Sequence, residues 1–242
     1  MKFLEIFDAA KPILAMLHLK GGSPHERLER ATREADLYAA GGVDAMIVED
    51  YYGTQADVEA VLAFLSKERP GYRLGVNVLG SFARGYELAR QYGARFMQVD
   101  SICGHLKPED EPAYFELIES YRKDGQVAVI GGVRFKYQPI LSGRSLGEDL
   151  AIGMRQCDAI AVTGAGTGQV TDTEKIRQFR EGLGDFPLVV AAGLTKETVM
   201  EQLSIGDAAI VGSTLKDTRK DTGDISAAHV AEFMDEVRRC FR

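Results

Sequence analysis

Tryptophan is absent from this 242-residue chain, and cysteine is scarce. The three cysteines, Cys103, Cys157 and Cys240, are odd in number and far apart, which excludes a disulfide framework. No C-x-x-C pair offers a zinc site. That usage points to a reducing, cytoplasmic setting. A basic surplus is missing as well. The formal charge is −7, which argues against a nucleic-acid binder working through a basic face. A small anionic ligand stays open, because one pocket can differ from the surface mean. No apolar run approaches the roughly 20 residues of a bilayer-spanning helix, so no integral membrane association is expected. Residues 1–8 carry Glu5 and Asp8 around a short apolar run and lack a signal-peptide core.

What the chain does have is a repeated beat. Eight apolar runs of strand length occupy residues 12–19, 44–50, 72–79, 96–100, 127–130, 159–162, 188–191 and 208–211. A helix-like segment follows each, at 24–40, 55–66, 82–91, 112–123, 146–156, 172–180, 196–203 and 226–239. Ser23-Pro24-His25-Glu26, Ser145-Leu146-Gly147-Glu148 and Thr171-Asp172-Thr173-Glu174 mark helix starts, where a hydroxyl caps and a glutamate bonds back. Strand–helix alternation with short links implies a parallel sheet. Eight units in close to the roughly 250 residues typical of a (β/α)8 barrel imply closure. The fold class is therefore a single α/β TIM-barrel domain over residues 1–242, with 1–11 as an amino-terminal extension and 224–242 as the closing helix. An open doubly wound sheet is the alternative, but no G-x-G-x-x-G turn follows the first strand. A weak repeat leads into even-numbered strands: Gly42-Val43-Asp44-Ala45, Cys157-Asp158-Ala159, Gly206-Asp207-Ala208 and, more loosely, Gly93-Ala94-Arg95-Phe96. It suits a barrel built from two-strand quarters, although any helix-to-strand link favours glycine and a small polar residue.

In such a barrel the active groups stand at the carboxyl ends of the strands. Those ends carry His18, Glu49 beside Asp50, Asn77, Asp100, Arg134 with Lys136, and Thr163 with Thr167. Adjacent strand residues point oppositely, so only one of Glu49 and Asp50 faces the axis, and the other is expected to pair with a neighbouring helix. The set suits proton transfer or a polyhydroxylated ligand. Each member also has a plain reading: a hydrogen-bonded core histidine, a turn-capping aspartate, a buried amide anchor, arginines that decorate the rim. The run Thr163-Gly164-Ala165-Gly166-Thr167-Gly168 offers backbone donors and hydroxyls in one loop. Ala192-Gly193-Leu194 and Gly212-Ser213-Thr214 follow the seventh and eighth runs, where barrels grip phosphate. His18, Glu49 and Asp100 are ligand types for a divalent metal, but they sit on separate strands without a tight motif, so no metal or other cofactor is expected. Cys103-Gly104-His105 does not orient a base on the thiol merely by adjacency.

Taken in order, His18-Leu19 after an apolar strand, Gly42-Val43-Asp44-Ala45 leading to Val48-Glu49, and Gly75-Val76-Asn77-Val78-Leu79 resemble the BtpA/SgcQ family. So do Lys136, Val162-Thr163-Gly164 with Gly166-Thr167-Gly168, and Val211-Gly212-Ser213 with Lys216. The resemblance runs from Pro12 to about Met234 and implies a ribulose-phosphate-binding type of barrel. One branch of the family takes its name from photosystem I biogenesis, and another is associated with sugar-utilisation gene clusters. The proline-rich loop usual after the first strand is replaced by Lys20-Gly21-Gly22-Ser23. Phosphoribosylanthranilate isomerase, a related barrel, needs a cysteine base at the first strand end and an aspartate at the fifth; His18 and residues 131–133 stand there instead. The expectation is an isomerase-like or epimerase-like enzyme on a phosphorylated sugar or ribose-phosphate compound. Gly193, Leu194, Gly212 and Ser213 would hold the phosphate, and Thr163, Gly164, Gly166 and Thr167 would line the next arc. His18, Glu49 or Asp100 would act as acid or base, with Asn77 beside them and Lys136 countering negative charge. The alternative is a non-catalytic assembly or regulatory factor using the barrel as a scaffold. Barrels often pair, so a homo-oligomer is expected.

Overall fold

The computed structural model describes residues 2–241. Its strands are β1 (Ile13–Leu17), β2 (Ala45–Glu49), β3 (Leu74–Asn77), β4 (Phe96–Cys103), β5 (Ala128–Val133), β6 (Ala159–Thr163), β7 (Leu188–Ala191) and β8 (Ala208–Val211). They close in sequence order into one parallel barrel, β8 pairing with β1. Its outer ring consists of α1 (Pro24–Gly41), α2 (Gln55–Glu68), α3 (Phe82–Tyr92), α4 (Glu111–Arg122), α5 (Leu146–Gln156), α6 (Thr173–Leu183), α7 (Val199–Ile205) and α8 (Ala227–Phe241). The chain is a single (β/α)8 TIM barrel.

The strand period of two divides the apolar residues into two cores. Outward-facing residues such as Ile13, Ala15 and Leu17 pack under the helices, while Leu14, Ile47, Ile130 and Val189 fill the barrel interior. On β5 to β8 the interior side chains include Ala128, Ala159, Ala161 and Ala208, so space is left at the amino-terminal end. Aromatic rings occupy it. Phe3 and Ile6 belong to a 3-10 turn, Phe3–Ile6, and with Phe7 they join the interior core. The rings of Phe3 and Phe7 lie 5.3 Å apart, and Phe7 and Phe96 lie 5.8 Å apart, edge to face. Phe3, Ile6 and Phe7 thus form the floor of the barrel.

The repeat at the even strands is a clamp. Each aspartate accepts a hydrogen bond from a main-chain N–H of the preceding strand: Asp44 from Ile13 at 2.8 Å, Asp158 from Val129 at 2.8 Å, and Asp207 from Leu188 at 2.9 Å. Arg122 and Arg180 hold Asp158 and Asp207 from the outer helices. Arg95, at the looser copy, has no acceptor to offer in that position.

Two elements run longer than their sequences suggest. The glycine pair ending the fifth apolar run reads as a loop, yet β5 continues to Val133. β4 also continues, to Cys103, through an irregular stretch in which Val99 pairs with Gly131 and Cys103 with Val133. The two features have one cause. The Asp100 carbonyl presses against Gly132, where a side-chain carbon would lie 2.0 Å from it, so only glycine admits the bulge. Thr171 is a further correction. It does not cap α6, since Asp172 accepts from the Glu174 N–H instead. The buried Thr171 hydroxyl donates to the Ala191 carbonyl.

Candidate active site

Five consecutive strands deliver one chain of polar groups to the carboxyl mouth. Glu49 and Asn77 end β2 and β3 and are direct register partners, so their side chains stand side by side. The Asn77 amide Nδ2 donates to Glu49 Oε1 at 2.7 Å and to Asp100 Oδ1 at 3.2 Å. Gln98, two residues before Asp100 on β4, donates from Nε2 to the same Oδ1 at 3.1 Å. On the other side His18 Nε2 lies 3.5 Å from Glu49 Oε2. His18 Nδ1 lies 3.2 Å from the ammonium of buried Lys216, which follows β8. Glu49 is the inward member of its pair. Asp50 turns away and accepts from the Leu79 N–H at 2.9 Å rather than pairing with a helix.

Burial sets the protonation of this chain. It pushes the Glu49 carboxyl up to about 8; the charge of Asp100 adds to it, and the Asn77 bond and Lys136 oppose it. The same desolvation, with Lys216 and Lys136 nearby, holds the His18 imidazole down to about 3. The His18–Glu49 contact is therefore not a pair of opposite charges near neutral pH. It joins a neutral ring to a carboxyl that keeps its proton.

The opposite wall comes from the loops after β5 and β6. The Lys136 N–H donates to Thr163 Oγ1 at 2.9 Å, and its ammonium donates to Thr167 Oγ1 at 3.0 Å. The Thr167 N–H donates to the Tyr137 hydroxyl at 2.8 Å. These bonds fix Lys136 over the mouth. Arg134 and Arg144 do more than decorate the rim. Both bind the fully buried Asp149, and Arg144 also binds Glu111 through two hydrogen bonds of 2.6 and 2.7 Å. They fasten the loop that carries Lys136.

The third wall follows β7 and β8. Gly193 adopts φ 70, and a side-chain carbon there would sit 2.2 Å from the Gln169 carbonyl group. Only glycine lets the β6 loop lie on it. The cleft between these walls takes up about 820 Å³, open mouth included. Of the residues expected at the site, it is lined by His18, Glu49, Asp100, Lys136, Thr163, Thr167, Gly193, Gly212 and Ser213. Asn77 stands behind the lining as a brace between the Glu49 and Asp100 carboxyl groups. Gly164 and Gly166 face residues of their own loop and Tyr137, and the Leu194 side chain is buried in the strand–helix core. The structure adds Gln98, Tyr51, Phe135 and Tyr137 to the lining. Gln98 was within reach of the strand period, since it shares a face with Asp100. Its Oε1 is buried without a hydrogen-bond partner. Among the described residues no group of three or more His, Cys, Asp or Glu is placed to hold a metal ion, and no helix is long and apolar enough to cross a membrane.

Fold and site together define a (β/α)8 barrel with an acid–amide chain, a fixed lysine and glycine-bearing turns around one mouth. The chain belongs to the BtpA family, which matches residues 9–239. It is 27% identical over 257 residues to Uncharacterized protein MJ1115 of Methanocaldococcus jannaschii, covering 95% of this chain and 97% of that one. It is 24% identical over 263 residues to Photosystem I biogenesis protein BtpA of Synechocystis, covering 98% and 91%. Among solved structures it is similar to phosphoribosyl anthranilate isomerase from Thermus thermophilus, with a TM-score of 0.61 at 15% identity over 94% of this chain and 98% of that one. That likeness is one of fold.

Proposed function

We propose that the mouth binds a small phosphorylated sugar or ribose-phosphate compound and isomerises or epimerises it. One observation carries this reading: the raised Glu49 carboxyl opens onto the same cleft as Gly193, Gly212 and Ser213. Main-chain N–H groups of Gly193, Leu194, Gly212 and Ser213 would hold the phosphate, as loops after the last two strands do in many barrels. Thr163, Thr167 and the backbone of Gly164 and Gly166 would form the next arc. With its value near 8, Glu49 is ionised in about a tenth of molecules at pH 7 and can both take and return a proton. In the proposed step the carboxylate takes the proton from the carbon beside the ligand's carbonyl. The released electron pair moves onto the carbonyl oxygen, where Lys136 stabilises the charge. Return of the proton to the former carbonyl carbon, with the hydroxyl proton of the first carbon passing to the former carbonyl oxygen, is isomerisation; delivery of a different proton to the opposite face of the first carbon, by Asp100 in its acid form, is epimerisation. The fold likeness to a barrel named phosphoribosyl anthranilate isomerase supports the ligand class. The test is solvent-deuterium incorporation into sugar phosphates. Exchange should occur with wild type and vanish with Glu49→Gln; exchange that survives the substitution would remove Glu49 from the role.

A second reading is a non-catalytic assembly or regulatory factor using the barrel as a scaffold, favoured by the name of the Synechocystis relative, Photosystem I biogenesis protein BtpA. It predicts that Glu49→Gln and Lys136→Ala leave cellular function intact while changes on the outer helices disrupt it. Complementation separates the two.

A further inference from the structure

We propose that Lys216 fixes the tautomer of His18, keeping the ring hydrogen on Nε2, the nitrogen turned towards Glu49. This rests on the reading of Glu49 as the proton-transfer group. Lys216 follows the 3-10 turn Ser213–Leu215 after β8, and its N–H donates to the Ser213 carbonyl at 3.1 Å. Its side chain is buried, with the ammonium between the Asp221 carbonyl oxygen and His18 Nδ1. An ammonium has hydrogens to give and no lone pair, so the ring nitrogen facing it must be the acceptor. In a neutral imidazole the hydrogen then lies on the other nitrogen. That nitrogen, Nε2, is the one 3.5 Å from Glu49 Oε2. The opposite tautomer would aim a hydrogen at the ammonium, and that contact would be lost. The charged and titratable groups around the ring agree. Glu49 and Tyr51 approach from β2 and its loop, Lys136 from the β5 loop, and Lys216 and Asp221 from the β8 loop.

The consequence falls on Glu49. Oε1 receives the Asn77 amide hydrogen at 2.7 Å, and Oε2 lies 3.5 Å from His18 Nε2, so a neutral N–H is turned towards each carboxyl oxygen. Lys216 does not itself line the cleft and lies away from the proposed reacting atoms; it is a positioning residue acting through His18.

The experiment reads the ring itself, in the full chain without ligand. Long-range proton–nitrogen NMR correlation distinguishes a hydrogen-bearing from a bare ring nitrogen. Wild type should show His18 as one tautomer, hydrogen on Nε2 and Nδ1 bare, throughout the neutral range. Lys216→Met should lose this single signature, and Lys216→Arg, which keeps a donor, should retain it. Hydrogen on Nδ1 in wild type would overturn the proposal whatever the variants do. So would an unchanged His18 signature in Lys216→Met, or its loss in a folded Lys216→Arg. Phosphate-ester binding is measured separately by thermal shift. The expected tautomer without such binding would overturn the reading of the cleft and leave the Lys216–His18 assignment standing.

Discussion

Replacing Glu49 by glutamine should remove a pH-dependent weakness from the fold. The carboxyl is pushed from 4.5 to about 8, first by burial and then by the charge of Asp100. The folded chain therefore holds this proton more tightly than the unfolded chain does. Below 4.5 both states are protonated and the stability is fully present. As pH rises the unfolded chain ionises first, and the loss is complete once pH has passed about 8. At about 1.36 kcal/mol for each pH unit, the interval from 4.5 to about 8 is worth on the order of 5 kcal/mol. Glutamine has no proton to lose. Its carbonyl can still accept from Asn77, while its amide nitrogen would face His18 Nε2, donor against donor. That conflict costs on the order of 1–3 kcal/mol at every pH, so the test lies in the slope and not in the offset. Urea unfolding followed by far-UV circular dichroism suits a chain without tryptophan. Measured at intervals between 4.5 and 8, the stability difference should move steadily in favour of Glu49→Gln by several kcal/mol. A difference independent of pH would refute the raised, buried carboxyl.

His18 acts in the other direction. Its folded value is about 3 against an ordinary 6.5, so its contribution is present above 6.5 and is lost as pH falls towards 3; His18→Gln should flatten that acid limb in the same urea series. Phe7→Ala opens the barrel floor against Phe3 and Phe96. It should lower stability by about 3–5 kcal/mol, seen as a lower urea midpoint. Gly193→Ala combines φ 70 with a carbon 2.2 Å from the Gln169 carbonyl group. It should displace the β6 loop and abolish any phosphate-ester thermal shift while leaving the far-UV spectrum intact.

The barrel was legible because its strands are apolar runs set off by glycine and aspartate. The sequence reading placed β7 and β8 at the residues the structure gives, 188–191 and 208–211. It stopped short at β4 and β5, where glycine is required by a bulge contact rather than by a turn, and no local pattern encodes the Asp100 carbonyl pressing on Gly132. The aspartate repeat was visible, but its meaning required knowing which strand N–H lay opposite. The site followed the same division. His18, Glu49 and Asp100 stand at strand ends, where topology alone sends them to the mouth. Lys216 is different: it reaches from beyond β8 to a ring after β1, a contact between residues far apart in the chain. Leu194 shows why residue type alone misleads at a turn: its side chain is buried in the strand–helix core, so only its main chain can face the mouth.

Whether the mouth takes a phosphate ester is decided by a thermal-shift titration. Wild type and Ser213→Glu would be titrated with ribose 5-phosphate, ribulose 5-phosphate, hexose phosphates and the corresponding free sugars. Ligand at about 100 times its dissociation constant adds roughly 2.7 kcal/mol of stability, a readily measured rise. A phosphate-ester site should give such a rise with at least one phosphate ester, none with its free sugar, and loss of the rise in Ser213→Glu through like-charge repulsion. No rise with any ester, or one that survives Ser213→Glu, would contradict it.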